Sequence, residues 1–267
     1  TVGLARDTVG QRVTGLVNAV GRRIAAHDLQ EWVELLSEGL DETDRLAIRT
    51  HHPRWIVAAY EKVLQENEVA QALEANNLAP RPTLVMRPGL AEVEELAPAV
   101  PTVYSPFGAV LDGAPGDLAA VREGRAGVQD EGSQLVCLAL TRVEAPSGPW
   151  LDLCAGPGGK SALLAGLARQ RGEHLVANEV AAHRAKLVEQ ALAVYPPGTA
   201  SVICSDGCDP EPVRRHAPFA RIMVDAPCSG LGALRRRPEA RWRRTPADLA
   251  ELVSLQRALL ETAIGLL

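Results

Sequence analysis

The chain has 267 residues, 46% of them apolar, 23% charged and 3% aromatic, with a net charge of −5. That length allows one or two domains around a sizeable core, and the apolar content excludes a disordered chain. No apolar run approaches the roughly 18 residues of a spanning helix, the mixed stretch Thr1–Arg12 does not read as a secretory signal, and the acidic balance argues against nucleic-acid binding over the whole surface.

The first 76 residues read as helices. Val9, Val13, Leu16, Val17, Val20 and Ile24 recur at helical spacing. Further helices are expected over about 31–40 and 44–49, and Pro53 suits the first turn of another through Trp55, Val57, Tyr60 and Leu64. Together they suggest a small bundle. From Asn77 frequent prolines break the chain into short β-rich runs, Thr83–Met86 and Thr102–Tyr104 among them, which reads as a linker or small α+β module to about 128. A helix over 131–140 follows.

From Trp150 strands and helices alternate. The strands are expected at 150–153, 174–177, 200–204 and 222–224, with helices at 161–169 and 182–194 and a helical turn near Val213. Such β-α repetition predicts an α/β fold with a parallel, doubly wound sheet. The chain begins without Met and ends at Leu267 within a predicted helix, so it reads as part of something longer. The five cysteines (137, 154, 204, 208, 228) are odd in number and form no CxxC pair, which points to a reducing cytoplasm. Cys204 and Cys208 lack companions at zinc-like spacing, so no metal is expected. His51 and His52, beside Pro53 in the helical part, read as structural.

The strongest motif is Cys154-Ala155-Gly156-Pro157-Gly158-Gly159-Lys160, where the first strand of that series enters a helix. Glycines let a ligand lie against backbone, and the helix start offers free amides. A Walker A loop would need glycine at Cys154, and a dinucleotide G-x-G-x-x-G fails at Ser161. S-adenosyl-L-methionine needs no phosphate cradle. It calls for an acid on its ribose at the end of the second strand, where Glu179 lies, and Asp206 ends the third strand near the expected adenine edge. Both acids could instead merely cap the helices that follow.

The fourth strand ends in Asp225-Ala226-Pro227-Cys228-Ser229-Gly230. A carboxylate and a thiol at that edge suit cytosine, whose carbon 5 accepts a methyl group only after a nucleophile adds at carbon 6. Asp225 could bind the amino and ring-nitrogen side of the base. The alternative for Cys228 is a small core residue.

The two motifs together resemble the NOL1/NOP2/Sun family of RNA cytosine-5 methyltransferases. Val17-Asn18-Ala19-Val20, His51-His52-Pro53-Arg54-Trp55, Glu74-Ala75-Asn76-Asn77 and Gly127-Val128-Gln129-Asp130 are similar to its bacterial RsmB/Sun branch, which acts on 16S ribosomal RNA. The resemblance implies a NusB-like RNA-binding domain over 1–76, cut at its N-terminus, a linker module over 77–128, and a Rossmann-like class I methyltransferase domain over 129–267, incomplete at its C-terminus. It implies that 154–160, Glu179, Asp206 and Asp225 line an S-adenosyl-L-methionine pocket, with Lys160 close to the reacting groups and Cys228 assisting product release by removing the carbon 5 proton. The family's attacking cysteine lies in a Thr-Cys-Ser motif, which this chain lacks, and Gly156 stands where the family commonly has Ala, a mild change.

Between Arg214 and Arg244 nine Arg face only Asp225 and Glu239. Arg235, Arg236, Arg237, Arg241, Arg243 and Arg244, with Trp242, suit phosphate contacts and base stacking, so RNA is the expected partner and the protein reads as a monomer. The competing reading of such a run is a solvated charged face. Two other function classes are a non-catalytic RNA-binding protein, favoured by the missing nucleophile motif, and a P-loop nucleotidase, disfavoured by Cys154.

Overall fold

The computed structural model describes residues 1–267, which form two compact units. One comprises 1–79 and 230–245; the other comprises 80–229 and 246–267. Packing therefore divides the chain differently from sequence texture: residues 80–128 group with the α/β part, and the Arg-rich segment groups with the helices.

The helical unit contains α1 (Val2–Thr8), α2 (Thr14–Ile24), α3 (Leu29–Ser37), α4 (Glu42–Thr50), α5 (Arg54–Glu61) and α6 (Glu66–Ala75). Gly10, at φ 115, and a 3-10 turn over Gln11–Val13 interrupt the continuous apolar face expected from Val9 to Ile24. Asp28 and Glu31 form a capping box that starts α3, and Gln65 and Glu68 form one that starts α6. Hence α5 stops at Glu61 rather than reaching Leu64. Pro53 takes the extended N-cap position of α5 instead of its first turn. The unit's core is Ala47, Ile56, Val57, Val69 and Leu73, joined by Leu231 from the returning segment. By contrast α1, α2 and α3 bury no residue, and Leu16, Val20 and Ile24 lie in solvent. Their helical period is real, but nothing in the unit covers it.

In the second unit, β1 (Thr83–Met86), β2 (Val100–Pro101), β3 (Gly108–Val110) and β4 (Ala126–Val128) form an antiparallel sheet of order β2-β3-β1-β4. The strand expected at Thr102–Tyr104 is a loop in which Thr102 Oγ1 donates to Ser105 O at 3.0 Å. The strand lies instead at Gly108-Ala109-Val110, where two small residues gave little β signal.

The parallel sheet contains β5 (Trp150–Asp152), β6 (Leu175–Asn178), β7 (Ala200–Ile203) and β8 (Arg221–Met223) in the order β7-β6-β5-β8. Helices α7 (Glu131–Arg142), α8 (Gly159–Gln170), α9 (Ala182–Leu192) and α10 (Pro246–Ile264) cover its faces. Alternation along the strands sorts the core. Trp150, Leu175 and Ala177 join Leu163 and Leu164 of α8 and Val188 of α9 on one side. Leu151, Leu153 and Val176 join Phe219 and, from α10, Leu259 and Ala263 on the other. Every residue from Ser161 to Ala168 is buried, so α8 is an interior helix rather than an amphipathic one. No helix is long and apolar enough to cross a membrane.

Candidate functional site

The first βα unit of the sheet runs outward to β6 and β7, and the chain then crosses back to place β8 on the other side of β5. In such sheets ligands usually lie in the crevice outside the carboxyl ends of the strands, at a switch point like that between β5 and β8. Glu179, Asp206 and Asp225 follow β6, β7 and β8 there, and the loop 154–160 follows β5.

The loop is braced by its neighbours. Ala155 N donates to Asn178 O at 2.8 Å, and Gly156 N donates to Glu179 Oε2 at 2.8 Å. Gly158, at φ 106, turns the chain into α8 where a Cβ would meet Ala191 Cβ at 2.8 Å and Val188 Cα at 3.0 Å. Glycine is therefore required at 158 on two grounds. At Gly156 a Cβ would stand 2.2 Å from Glu179 Oε2. The glycine there, which the sequence treated as a mild change, is what lets this carboxylate approach the loop amide.

Glu179 is 3% exposed, and its second oxygen accepts from Ala181 N at 3.0 Å. Arg184, in the first turn of α9, reaches the same place: its guanidinium donates to Gly156 O and lies 3.7 Å from Glu179 Oε2. Asp206 is exposed, and its Oδ1 accepts from Cys208 N at 2.9 Å in a cap-like turn. Lys160 Nζ donates to Asp225 Oδ2 at 2.7 Å, tying the loop to the end of β8. Cys228 is exposed in the turn after β8. Cys154 is half-buried, and burial first, then the charges of Asp152, Glu179 and Asp225, push its thiol up to about 12. At neutral pH it is a wall residue, not a nucleophile.

Besides Arg184, two residues that sequence reasoning missed belong here, Asp152 and Asn178. Asp152, the last residue of β5, is 1% exposed; Ser161 Oγ donates to its Oδ2 at 2.7 Å and its Oδ1 has no partner. Asn178 Nδ2 donates to Leu153 O at 3.2 Å and to Ser205 O at 3.1 Å, while Ser205 Oγ donates to Asn178 Oδ1 at 2.6 Å. Their positions beside the motif, as strand-terminal polar residues in apolar runs, were the available signal.

The Arg-rich segment lies in the helical unit. Arg235, Arg236, Arg237, Trp242 and Arg243 are exposed and Arg244 is half-buried. Arg241 departs from the expected RNA-contacting role: it is 3% exposed and its guanidinium is spent on His51, Asn76 and Asn77. His52 is buried and bonded to Thr50 and Asn76, a structural residue as expected.

Chemically the crevice is acidic. Three carboxylates end its strands against two cations, Lys160 paired with Asp225 and Arg184 beside Glu179, so a phosphate would meet a net negative charge. A cationic donor with a ribose diol fits these groups, and the space a Cβ at Gly156 would take is held by Glu179 Oε2 and Arg184 Nε.

Strand order, loop and strand-end acids define a Rossmann-like methyltransferase fold. Two structures from Pyrococcus horikoshii share it: a methyltransferase homolog (TM-score 0.68, 20% identity, 85% of this chain and 74% of that one) and NSun6 (TM-score 0.64, 15% identity, 79% of each). Residues 137–267 match the sequence model of the 16S rRNA methyltransferase RsmB/F family. It is 49% identical over 266 residues to a putative methyltransferase of Mycobacterium tuberculosis, covering 94% of this chain and 56% of the relative. It is 35% identical over 277 residues to ribosomal RNA small subunit methyltransferase B of Vibrio cholerae, covering 98% and 59%. The chain thus spans little more than half the length of these relatives.

Proposed function

We propose that this chain serves in S-adenosyl-L-methionine-dependent methylation of carbon 5 of a cytosine in RNA, the RNA being that of the small ribosomal subunit. The observation that carries the reading is the 2.7 Å contact between Lys160 and Asp225, which brings the donor loop and the base-side motif to one point of the crevice. Bound there, S-adenosyl-L-methionine supplies an electrophilic methyl group on a sulfonium.

The chain's own residues divide the remaining work. Backbone of 154–160 and the Glu179 carboxylate hold the donor's ribose side, and Asp206 meets its adenine amino edge. Asp225 accepts from the amino and ring-nitrogen side of cytosine, and the Lys160 ammonium fixes the direction in which that carboxylate points. Covalent activation needs a thiolate added at carbon 6; the family resemblance gives that role to a Thr-Cys-Ser cysteine, a motif that residues 1–267 do not contain. Cys228 then takes the carbon 5 proton, and the electron pair left behind restores the ring double bond as the carbon 6–sulfur bond breaks. The NusB-like helical unit, with the Arg-rich segment packed in it, binds RNA. The protein works as a monomer in the cytoplasm, without a metal.

Titration calorimetry of this chain with S-adenosyl-L-methionine and with its demethylated product tests the proposal. One-to-one binding of both is the expected result, and folded protein that gives no heat with either overturns it.

A further inference from the structure

RNA binding is expected of the helical unit, yet its own helices are acidic. Residues 1–79 hold eight Arg or Lys against twelve Asp or Glu, whereas 230–245 hold six Arg against Glu239 alone. That segment leaves the α/β unit after Ser229, packs with the helices and returns at Pro246. The positive charge of the helical unit is therefore concentrated in a piece of chain inserted from the methyltransferase part.

The insertion is firmly seated. Leu231 packs on the helical core, and Leu234 is fully buried. Arg241 is the polar anchor. Its Nη1 donates to His51 O at 2.9 Å and to Asn77 Oδ1 at 2.8 Å, and its Nη2 donates to Asn76 O at 3.4 Å. The acceptors come from the turn after α4 and the end of α6, so one planar guanidinium fastens two corners of the bundle to the segment. The single helical turn Ala240–Arg243 then directs Arg241 inward while Trp242, 66% exposed, and Arg243 face out.

We propose that residues 235–244, locked in place by Arg241, form the RNA-contacting surface of the helical unit, with Arg241 a positioning residue and the six helices a scaffold. Exposed Arg235, Arg237 and Arg243 supply phosphate contacts and Trp242 supplies a stacking face, a combination suited to single-stranded RNA. The inference rests on the RNA methyltransferase reading above for the identity of the partner.

Fluorescence anisotropy of the 267-residue chain with a labelled single-stranded RNA oligonucleotide, over a salt series, tests it. Arg237→Ala and Arg243→Ala are each expected to weaken binding and to reduce the salt slope by about 0.7. Arg241→Lys keeps its charge but loses the fork; it is expected to weaken binding by about tenfold with the slope unchanged, a pattern a phosphate contact would not give. Arg22→Ala with Arg23→Ala, exposed on α2, should leave affinity within about twofold. Wild-type binding by Arg241→Lys, or a loss in the α2 pair equal to that of the 237 and 243 variants, overturns the proposal. If Arg241→Lys does not fold, the comparison of those two pairs decides alone. Calorimetry with S-adenosyl-L-methionine on the same preparations separates the readings: RNA results as expected without donor binding overturn the enzymatic proposal only, and donor binding without them overturns this one only.

Discussion

Ser161 Oγ donates to Asp152 Oδ2 across 2.7 Å, joining the end of β5 to the first turn of α8, while Asp152 Oδ1 stays buried without a partner. Burial, the largest influence, raises the carboxyl from 3.8 to about 6 despite the serine.

Between about pH 4 and 6 the folded chain therefore holds a proton that the unfolded chain has released. Stability falls as pH rises through that interval, and the full cost, of order 3 kcal/mol at most, persists above it. Asp152→Asn keeps an acceptor for Ser161 and removes the penalty. Calorimetric melting should show the variant more stable than the parent at pH 7.5 and nearly equal near pH 4. Equal melting at both values would contradict this account.

At the opposite end of the strands, Trp150 Nε1 donates to Glu173 Oε2 at 2.7 Å, and the Arg221 guanidinium lies 5.2 Å from the centre of the Trp150 ring. Arg221 is 4% exposed, its Nη1 is 3.9 Å from Glu173 Oε2, and its Nη2 donates to Val143 O. Glu173→Ala strands a buried guanidinium and an indole N–H together, so urea unfolding should show a loss of roughly 3–5 kcal/mol. A loss under about 1 kcal/mol, the range of a surface ion pair, would mean that water reaches the cluster.

His52 Nδ1 is 2.7 Å from Thr50 O, a pure acceptor, so this nitrogen carries the proton and Nε2 accepts from Asn76 Nδ2. Burial, then the nearby Arg241 charge, lowers the ring to about 4. The unfolded chain thus binds more protons between pH 4 and 6.5, and the ring's contribution to stability is complete above about 6.5 and lost as pH falls toward 4. Nitrogen chemical shifts should report a neutral Nδ1–H tautomer from pH 7 down to 5. A ring titrating near 6.5 would exclude the buried geometry.

Glu179→Gln retains the shape but removes the charge that accepts from the loop amide, and it should weaken S-adenosyl-L-methionine binding by about tenfold to a hundredfold. Calorimetry on folded protein checks this; a change within about twofold would remove Glu179 from the ribose site.

The sequence was most legible where pattern and chemistry coincide. Trp150–Asp152 and Leu175–Asn178 are short apolar runs before polar turns, so their strands and the acid after β6 were readable. Gly108-Ala109-Val110 was not, because its β conformation comes from pairing with β1 rather than from its side chains. Within the Arg run, composition marks all six residues alike. Only folding separates Arg241, turned inward, from its neighbours. The roles of Asp152 and Asn178 depend on contacts with residues 9 and 27 positions away, which a linear motif does not contain.

Asn178 rivets three strand ends: its own, that of β5 through Leu153 O, and the turn after β7 through Ser205. A guest entering between them finds walls whose spacing is already set, so little chain freedom is surrendered on docking and the mouth need not close to create contacts. Association should accordingly proceed in a single fast phase limited by encounter, with no slower rearrangement behind it.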